Sequence, residues 1–256
     1  MNIKQPFLGP VGRCIYCGAN NVKLGREHTL PKSLGGEGIF VVQEASCSTC
    51  SEITSRFERH VAREILFAAR AKHRMPTKNK CKRPTHLPLS VQIGDDQKII
   101  GVPIDAYPAV VPLLIFPPPG YLEKRPYSAG ISVIGTTLGG PPIKEIRSSL
   151  NIDKFKVTVA FKPVYFARLL AKIAYGFSII TFGPSVIDTS YVRQAIINPT
   201  DDLGQWVGCV SEYPPEKTNN VHELKLSIKN DDIYVTVRLF ANYQTPEYLV
   251  ITGRSP

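Results

Sequence analysis

Residues 14–58 read CIYCGANNVKLGREHTLPKSLGGEGIFVVQEASCSTCSEITSRFE, and this stretch decides the N-terminal fold. It contains two C-x-x-C pairs, Cys14 with Cys17 and Cys47 with Cys50, on either side of 29 residues. Such pairs are typical of tetrahedral zinc sites, whereas a disulfide framework is not expected in a chain of this size without an export signal. We therefore predict one structural Zn²⁺ bound by all four thiolates, which closes a loop too short to build a hydrophobic core of its own.

Inside this loop the pattern predicts two strands, Lys23–Leu30 and Ile39–Gln43. The turn between them contains three glycines at positions 35, 36 and 38, which permit a backbone path closed to other residues. A helix starting near Cys50 would then pack across the hairpin. The expected unit is strand, turn, strand and helix.

The stretch from Cys47 to Met75 predicts one long helix that ends before Pro76. At 100° per residue its side chains separate into two sectors. The apolar sector holds Ile53, Phe57, Val61, Ile65 and Ala68, and the basic sector holds Arg56, Arg59, Arg63 and Arg70. The helix is therefore expected to have a core face and an arginine face.

The net charge of +10 is concentrated at one end of the chain. Residues 1–90 contain 15 Lys and Arg against 6 Asp and Glu, whereas residues 91–256 contain 16 against 15. A local positive field of this kind attracts polyanions, of which nucleic acid is the commonest. A basic but otherwise ordinary soluble surface is the alternative that charge alone leaves open.

Beyond residue 84 the pattern predicts an α+β domain with an antiparallel sheet. Short strands are expected in the first half, and the proline-rich segment 103–142 is interpreted as a linker or as loops around strands. A helix is predicted over Val164–Ile180, and Arg168 and Lys172 within it argue against a membrane span. A meander is predicted at the end of the chain. The expected strands are Leu87–Ile93, Ile99–Ile104, Val110–Phe116, Phe155–Phe161, His222–Ile228, Ile233–Phe240 and Tyr248–Thr252.

The N-terminal motifs resemble a known family. Glu27-His28, a proline three residues after the histidine, a Leu-Gly-Gly turn and two flanking C-x-x-C pairs together resemble the HNH endonucleases of the zinc-containing ββα-metal type. The resemblance covers about residues 12–75. The predicted organisation is accordingly an HNH-type module over residues 1–83 followed by the α+β domain over residues 84–256.

The resemblance implies specific roles for two adjacent residues. It makes His28 the general base that takes a proton from the attacking water, a role suited to imidazole because its ordinary pKa lies near neutrality. It makes Glu27 a ligand of a second, catalytic cation, Mg²⁺ or Mn²⁺, which prefers oxygen ligands. The implied activity is metal-dependent hydrolysis of phosphodiester bonds in DNA.

The sequence departs from the family pattern at Ser51. Zinc-type members usually carry Asn or His directly after the last cysteine as the other protein ligand of the catalytic cation, and serine is a poorer ligand. Ser51 and Glu58 share one side of the predicted helix, so Glu58 is a candidate for the missing carboxylate. The alternative is that Glu58 only pairs with a neighbouring arginine.

The expected partner is nucleic acid, most of all double-stranded DNA. Contacts with the phosphate backbone are expected from the arginine sector and from two cations beside Glu27-His28, with a solvated helix face as the alternative for the arginines. These residues are Arg26, Lys32, Arg56, Arg59, Arg63 and Arg70. Lys78, Lys80, Lys82 and Arg83 would extend the track. A cytoplasmic protein is expected, with no membrane contact, and the C-terminal domain is a possible site for a homodimer or protein partner.

Three functions remain open from the sequence. The first is an active endonuclease. The second, favoured by Ser51, is a catalytically degenerate zinc module that binds nucleic acid without cleaving it. The third is a zinc-stapled scaffold for protein interactions, which would show no salt-sensitive binding to DNA.

Overall fold

A computed structural model describes residues 6–36, 40–77, 83–124, 132–137, 141–157, 159–160, 162–198 and 202–256. It combines helices with antiparallel sheets, which confirms the predicted α+β class. Parts of five predicted features lie outside the described residues: the turn at 34–38, the strand Ile39–Gln43, the proline-rich segment 103–142, the strand Phe155–Phe161 and the basic residues Lys78, Lys80 and Lys82.

The N-terminal hairpin consists of β1 (Leu24–His28) and β2 (Val41–Cys47), which pair in antiparallel fashion and are followed by α1 (Ser48–His60). This order is the strand, strand and helix predicted for the loop between the cysteine pairs. Strand β2 runs four residues beyond the predicted end at Gln43 and leads directly into α1. The Sγ of Cys47 accepts a hydrogen bond from the backbone N–H of Cys50 at 3.5 Å, and this contact caps the helix.

The predicted long helix is interrupted after α1. Residues Val61–Ile65 form a π-helical turn, closed by the Leu66 N–H to Val61 carbonyl bond of 2.9 Å, and α2 (Phe67–Lys72) follows. A π turn inserts one extra residue, which rotates everything after it by about 100°. The prediction of one continuous helix to Met75 is therefore wrong, and the rotation moves Arg70 out of the arginine sector.

Three further antiparallel sheets follow in the described residues after 83. The first two sheets and their helices comprise β3 (His86–Ile93), β4 (Asp96–Pro103), β5 (Val110–Ile115), α3 (Gly120–Glu123), β6 (Ser132–Thr137), α4 (Ile143–Leu150) and β7 (Lys154–Lys156). The remaining elements are α5 (Pro163–Phe182), α6 (Arg193–Ile197), β8 (Val207–Cys209), β9 (His222–Lys229), β10 (Asp232–Leu239) and β11 (Tyr248–Arg254). The strand orders in the three sheets are β4-β3-β7, β5-β6 and β8-β11-β10-β9.

The C-terminal meander follows the prediction closely. Strands β9, β10 and β11 lie in sequence order, with β8 added at the outer edge of β11. Between β9 and β10, Asn230 and Asp231 have φ of 51° and 65°. Positive φ at both central residues of a two-residue turn is the geometry that matches the twist of a hairpin, and Asn and Asp tolerate it.

Helix α5 lies at the centre of the main hydrophobic core. Fifteen of its residues are buried, and the core includes side chains from the cysteine-rich hairpin, from β5 and from the C-terminal meander. Side chains from both sides of residue 83 therefore contribute to one hydrophobic cluster, whereas a smaller cluster lies under β3 and β4. Strand β5, in the proline-rich segment, belongs to the main core.

The segment Pro163–Val186, which includes α5, is long and apolar enough to match a membrane-spanning helix by length and composition. Its most apolar 18-residue window is 78% buried inside the protein, and both Arg168 and Lys172 are buried within it. Burial of this extent is that of a core helix, as predicted from its two charged residues.

His222 connects the meander to the N-terminal hairpin. Its Nε2 bonds to the Leu34 carbonyl at 2.9 Å, and its Nδ1 accepts from the Phe240 N–H at 3.2 Å. Burial lowers the pKa of His222 to about 4, with a further lowering by His73 and an opposing effect of the Leu34 carbonyl. The folded protein therefore holds this ring neutral.

We expect this histidine to cause a loss of stability in acid. This histidine binds a proton near pH 6.5 in the unfolded chain but only near pH 4 in the folded protein. The free energy of unfolding is therefore highest above pH 6.5 and decreases by roughly 3 kcal/mol as the pH falls to about 4. Urea unfolding at several pH values would measure it. His222→Gln should show a flatter dependence of the unfolding free energy on pH, whereas His86→Gln, at an exposed histidine, should follow the parent protein. Parallel pH profiles for parent and His222→Gln would contradict this assignment.

Candidate functional site

Four cysteines come together in space: two from the segment before β1, one from the end of β2 and one from the first turn of α1. The Sγ atoms of Cys14, Cys17, Cys47 and Cys50 all lie within 4.8 Å of one another, and the Cys17–Cys47 pair is 3.8 Å apart. Three of these residues are buried and Cys17 is exposed. The group is positioned to bind a metal ion.

The spacing and the donor set fit Zn²⁺. Zinc–sulfur bonds of about 2.3 Å in a tetrahedron place the sulfur atoms about 3.8 Å apart. Four thiolates complete such a tetrahedron, so a metal held here has no open position for a substrate. Its contribution is to hold the hairpin and the first turn of α1 together.

The predicted catalytic dipeptide lies at the end of β1, where the side chains of neighbouring residues point to opposite faces of the hairpin. Glu27 pairs across the sheet with Val42 and His28 with Val41. Glu27 is 7% exposed, whereas His28 is half-buried. The two residues therefore have different surroundings.

Lys172 of α5 reaches the buried side of this dipeptide. Its Nζ lies 2.7 Å from Glu27 Oε1 and 2.8 Å from Glu58 Oε1, and it donates to the carbonyl oxygen of His28. The residue is 1% exposed. An ammonium has three donors, and all three are used by these contacts.

Gly176, one turn after Lys172, explains how α5 comes so close to β1. A Cβ at this position would lie 2.7 Å from Thr29 Oγ1, a separation that real structures do not show. Only glycine permits the approach, because it has no side chain. The same face of α5 thus carries the glycine that contacts the end of β1 and the lysine that reaches Glu27.

The three charged groups affect one another. Burial by itself lowers the pKa of Lys172, but the charges of Glu27 and Glu58 outweigh it, so the net shift is upward and the ammonium stays charged. Burial raises the pKa of Glu58, with Glu27 acting in the same direction and Lys172 opposing it. At Glu58 the attraction of Lys172 therefore does not outweigh burial and the charge of Glu27.

These residues do not fit a catalytic divalent cation. The position between Glu27 and Glu58 is held by the ammonium of Lys172, and a divalent ion bound there would face a buried positive charge at short range. Because its donors are engaged and it is almost fully buried, Lys172 has no donor left for a phosphate either. The Mg²⁺ or Mn²⁺ site implied by the family resemblance is therefore not supported by the geometry.

Glu58 and Glu27 meet in the structure. The structure brings Glu58 and Glu27 to the same cation, as the helical projection suggested, but that cation is an amino group of the protein and not a metal. Within the described residues Glu58 pairs with Lys172 and with no arginine. The Lys172 ammonium forms no hydrogen bond with Ser51 in the described part of the chain. The backbone carbonyl of Ser51 accepts a hydrogen bond from Thr54 Oγ1 at 3.1 Å.

His28 retains properties of a base. Burial lowers its pKa, the charges of Lys32 and Lys172 lower it further, and Glu27 and the Gly36 backbone oppose them. The imidazole is therefore neutral near pH 7. Within the described part of the chain its Nδ1 is buried without a hydrogen-bond partner.

The predicted nucleic-acid contacts fall into two groups. Five of the six side chains are exposed: Arg26, Lys32, Arg56, Arg59 and Arg63. Arg56 also pairs with Glu52 at 2.9 Å across one helical turn, an exposed contact of small energetic weight. Arg70 is half-buried, and its guanidinium donates to the carbonyl groups of Ser33, Ala62 and Pro76. The guanidinium of Arg70 therefore stabilises the backbone of these three segments.

The residue that sequence reasoning missed is Lys172. Its only sequence signal is a charge inside an apolar helical run, which we used solely against a membrane span. A buried lysine needs a buried acid, and the buried carboxylates lie more than 100 residues away in the chain. That pairing becomes visible only when α5 packs on the hairpin.

Removing the Lys172 charge alone should destabilise the protein strongly. In Lys172→Met the stem is retained but Glu27 and Glu58 lose their counter-charge, so we expect a loss of about 3–5 kcal/mol in the free energy of unfolding. Denaturant unfolding would measure it.

Two further variants make this test specific. Lys229→Met removes an exposed lysine and should stay within about 0.5 kcal/mol of the parent. The triple variant Lys172→Met, Glu27→Gln, Glu58→Gln removes all three charges and should recover much of the loss. Equal stability of Lys172→Met and Lys229→Met would show that the buried charges do not interact as described.

No protein-family model, no curated protein and no solved structure matches the chain.

Proposed function

We propose that the N-terminal segment, residues 1–83, is a zinc-stapled module that binds nucleic acid, with double-stranded DNA as its partner, without metal-dependent cleavage. The observation that carries the proposal is the ammonium of Lys172 between Glu27 and Glu58. It lies beside Glu27, the residue that the HNH resemblance makes a ligand of the catalytic cation. A phosphate would instead meet the exposed arginines and lysines of the module.

Exposed positive charge supports the binding half of this proposal. Arg59 and Arg63 extend outward from α1 and the π turn, and Arg26 and Lys32 lie on the hairpin side of the module. Lys32 is near enough to His28 for its charge to lower the pKa of that ring. Such side chains neutralise backbone phosphates and release counterions, which supplies affinity without reading the base sequence.

Zinc is the metal ion proposed for the four-cysteine group. The cysteine sulfurs form a soft donor set, and their mutual distances fit a tetrahedron. The short hairpin has few apolar side chains of its own and depends on the metal and on α5 for its position. Binding of zinc would therefore stabilise the surface that carries the cations.

Endonuclease activity remains a second candidate because of His28. A neutral imidazole with an unpartnered nitrogen is suited to accept a proton from water, but the His28 Nδ1 is buried and would first have to be opened to solvent. In this function Glu27 would have to leave Lys172, which would then be paired with Glu58 alone. The two candidates therefore differ in whether Mg²⁺ or Mn²⁺ allows plasmid DNA to be cut.

DNA binding should be salt-dependent and should need the exposed arginines. Neutralising Arg56, Arg59 and Arg63 together by Gln should weaken binding to duplex DNA and make the slope of log K against log salt shallower by about 2–3, since each phosphate contact contributes about 0.9. Fluorescence anisotropy with a labelled duplex across a salt series would measure both quantities.

The matched control replaces three exposed lysines by Gln in the β4-β3-β7 sheet, away from α1: Lys98, Lys154 and Lys156. This variant changes the net charge by the same amount and should leave the slope of log K against log salt nearly unchanged.

A plasmid assay with Mg²⁺ and with Mn²⁺ tests for cleavage. Nicking by the parent but not by His28→Ala would replace the binding proposal with the endonuclease; an equal slope in both triple variants would refute binding through the arginines.

Zinc content provides an independent test of the module. The parent should contain about one equivalent of zinc per chain, and Cys50→Ser should lose it and unfold at a lower temperature, because three thiolates no longer fill the tetrahedron. Cys209→Ser is the control. Cys209 is also buried but accepts a hydrogen bond from the Phe116 N–H at 3.3 Å and is not part of the cluster, so this variant should keep its zinc. Elemental analysis showing no zinc in undamaged parent protein would refute the proposed staple.

A further inference from the structure

A cavity of about 460 Å³ lies beside the end of α2, between that helix and the hairpin of β3 and β4. Its volume is in the range of sites for small organic ligands. Its lining shares no residue with the Lys172 cluster or with the four cysteines. Its lining includes Phe67, Arg70, Arg74, Met75, Arg83 and Ile104.

The charge of the lining is strongly positive. Three of the lining side chains are arginines, and Asp105 is the one carboxylate among the lining residues described. Arg70 uses its donors on backbone carbonyl groups, whereas Arg74 and Arg83 are exposed. A guanidinium binds a phosphate with planar, paired donors. The two exposed arginines therefore favour a phosphorylated ligand.

The remaining lining is apolar and includes an aromatic ring. Phe67 is 42% exposed, which is unusual for a phenylalanine next to the core, and Met75 and Ile104 line the same cavity. An exposed aromatic face beside arginines is the arrangement on which nucleobases stack. The cavity thus offers separate surfaces for a planar base and for a phosphate.

The backbone at Arg74 supplies an independent observation. Arg74 follows α2 with φ of 50°, and it closes the helix with its N–H on the Ala71 carbonyl at 3.1 Å, while the Met75 N–H bonds the Arg70 carbonyl at 2.9 Å. Glycine is the usual residue at such a position because a Cβ is strained there. The strained turn thus places the exposed Arg74 at the edge of the cavity.

The cavity is also close to the proposed DNA-binding arginines. Burial lowers the pKa of Arg70, and the charge of Arg63 lowers it further, so these two guanidinium groups lie near enough to repel each other. Arg70 is a wall of the cavity and Arg63 belongs to the exposed arginines of the module. Positive charge is therefore continuous from the module to the cavity.

We infer that this cavity binds a nucleoside phosphate, with the base against Phe67 and the phosphate on Arg74 and Arg83. The ligand is either a free mononucleotide or an unpaired nucleotide of a strand, since both present the same chemistry. The inference does not rest on duplex binding by the module, because different side chains make the contacts.

The test measures two probes, thymidine 5′-monophosphate and a fluorescein-labelled single-stranded dT oligonucleotide with a 5′-phosphate. Arg74→Gly removes the guanidinium and relieves the strained backbone, so affinity should fall by about tenfold or more while thermal stability is kept or raised. Phe67→Ala should weaken binding by about fivefold or more through the lost stacking.

Lys124→Gly is the matched control. Lys124 is also exposed with φ of 51° at a helix end, so this variant loses one charge and the same kind of strain away from the cavity, and its affinity should not change. Binding of the mononucleotide identifies a free nucleotide as ligand, and binding of the oligonucleotide alone identifies a strand; both support the site. Absence of binding by both probes, or equal affinity in parent, Arg74→Gly and Phe67→Ala, overturns it. Loss of duplex binding in the Arg56, Arg59, Arg63 variant with nucleotide binding intact separates the two proposals.

Discussion

The ion cluster of Lys172, Glu27 and Glu58 determines how the two halves of the chain fit together. A buried ammonium is tolerated only where acceptors surround it, and here one carboxylate comes from β1, one from α1 and a carbonyl from the end of β1. These contacts set the distance and rotation of α5 relative to the hairpin, and Gly176 makes the short distance possible. Hydrophobic packing alone does not specify such a register, because apolar side chains accept small shifts more readily than paired charges do.

The four-cysteine group acts on the same elements from the opposite end. It joins the chain before β1 to the junction of β2 and α1, while the ion cluster joins β1 and α1 to α5. The hairpin thus has a metal-ligand set at one end and a buried charge cluster at the other. Tyr175, on the same helix as Lys172, adds a hydrogen bond of 2.6 Å to the Ile15 carbonyl, inside the first cysteine pair. Helix α5 consequently holds both ends of the hairpin.

Features with a local cause were predictable from the sequence. The C-x-x-C spacing predicted the cysteine group, the turn residues and alternation predicted β9 to β11, and the composition of residues 164–180 predicted α5. Two features with a non-local or subtle cause were not. The π turn at Val61–Ile65 leaves no composition signal, yet its extra residue rotates Arg70 from the arginine sector onto backbone carbonyl groups. Lys172 meets its partners only through tertiary packing, so no spacing within the chain could reveal them.

The nature of the cation beside Glu27 decides whether the buried carboxylates can take part in binding a phosphate. A hydrated divalent ion binds a phosphate through its open coordination positions, so it connects buried carboxylates with a ligand outside the protein. An ammonium with three protein acceptors has no such position. The negative charge of Glu27 and Glu58 is then screened inside the protein, and the field at the surface is set by Arg26, Lys32, Arg59 and Arg63. A lysine in this place therefore leaves both carboxylates paired inside the protein and out of reach of a phosphate.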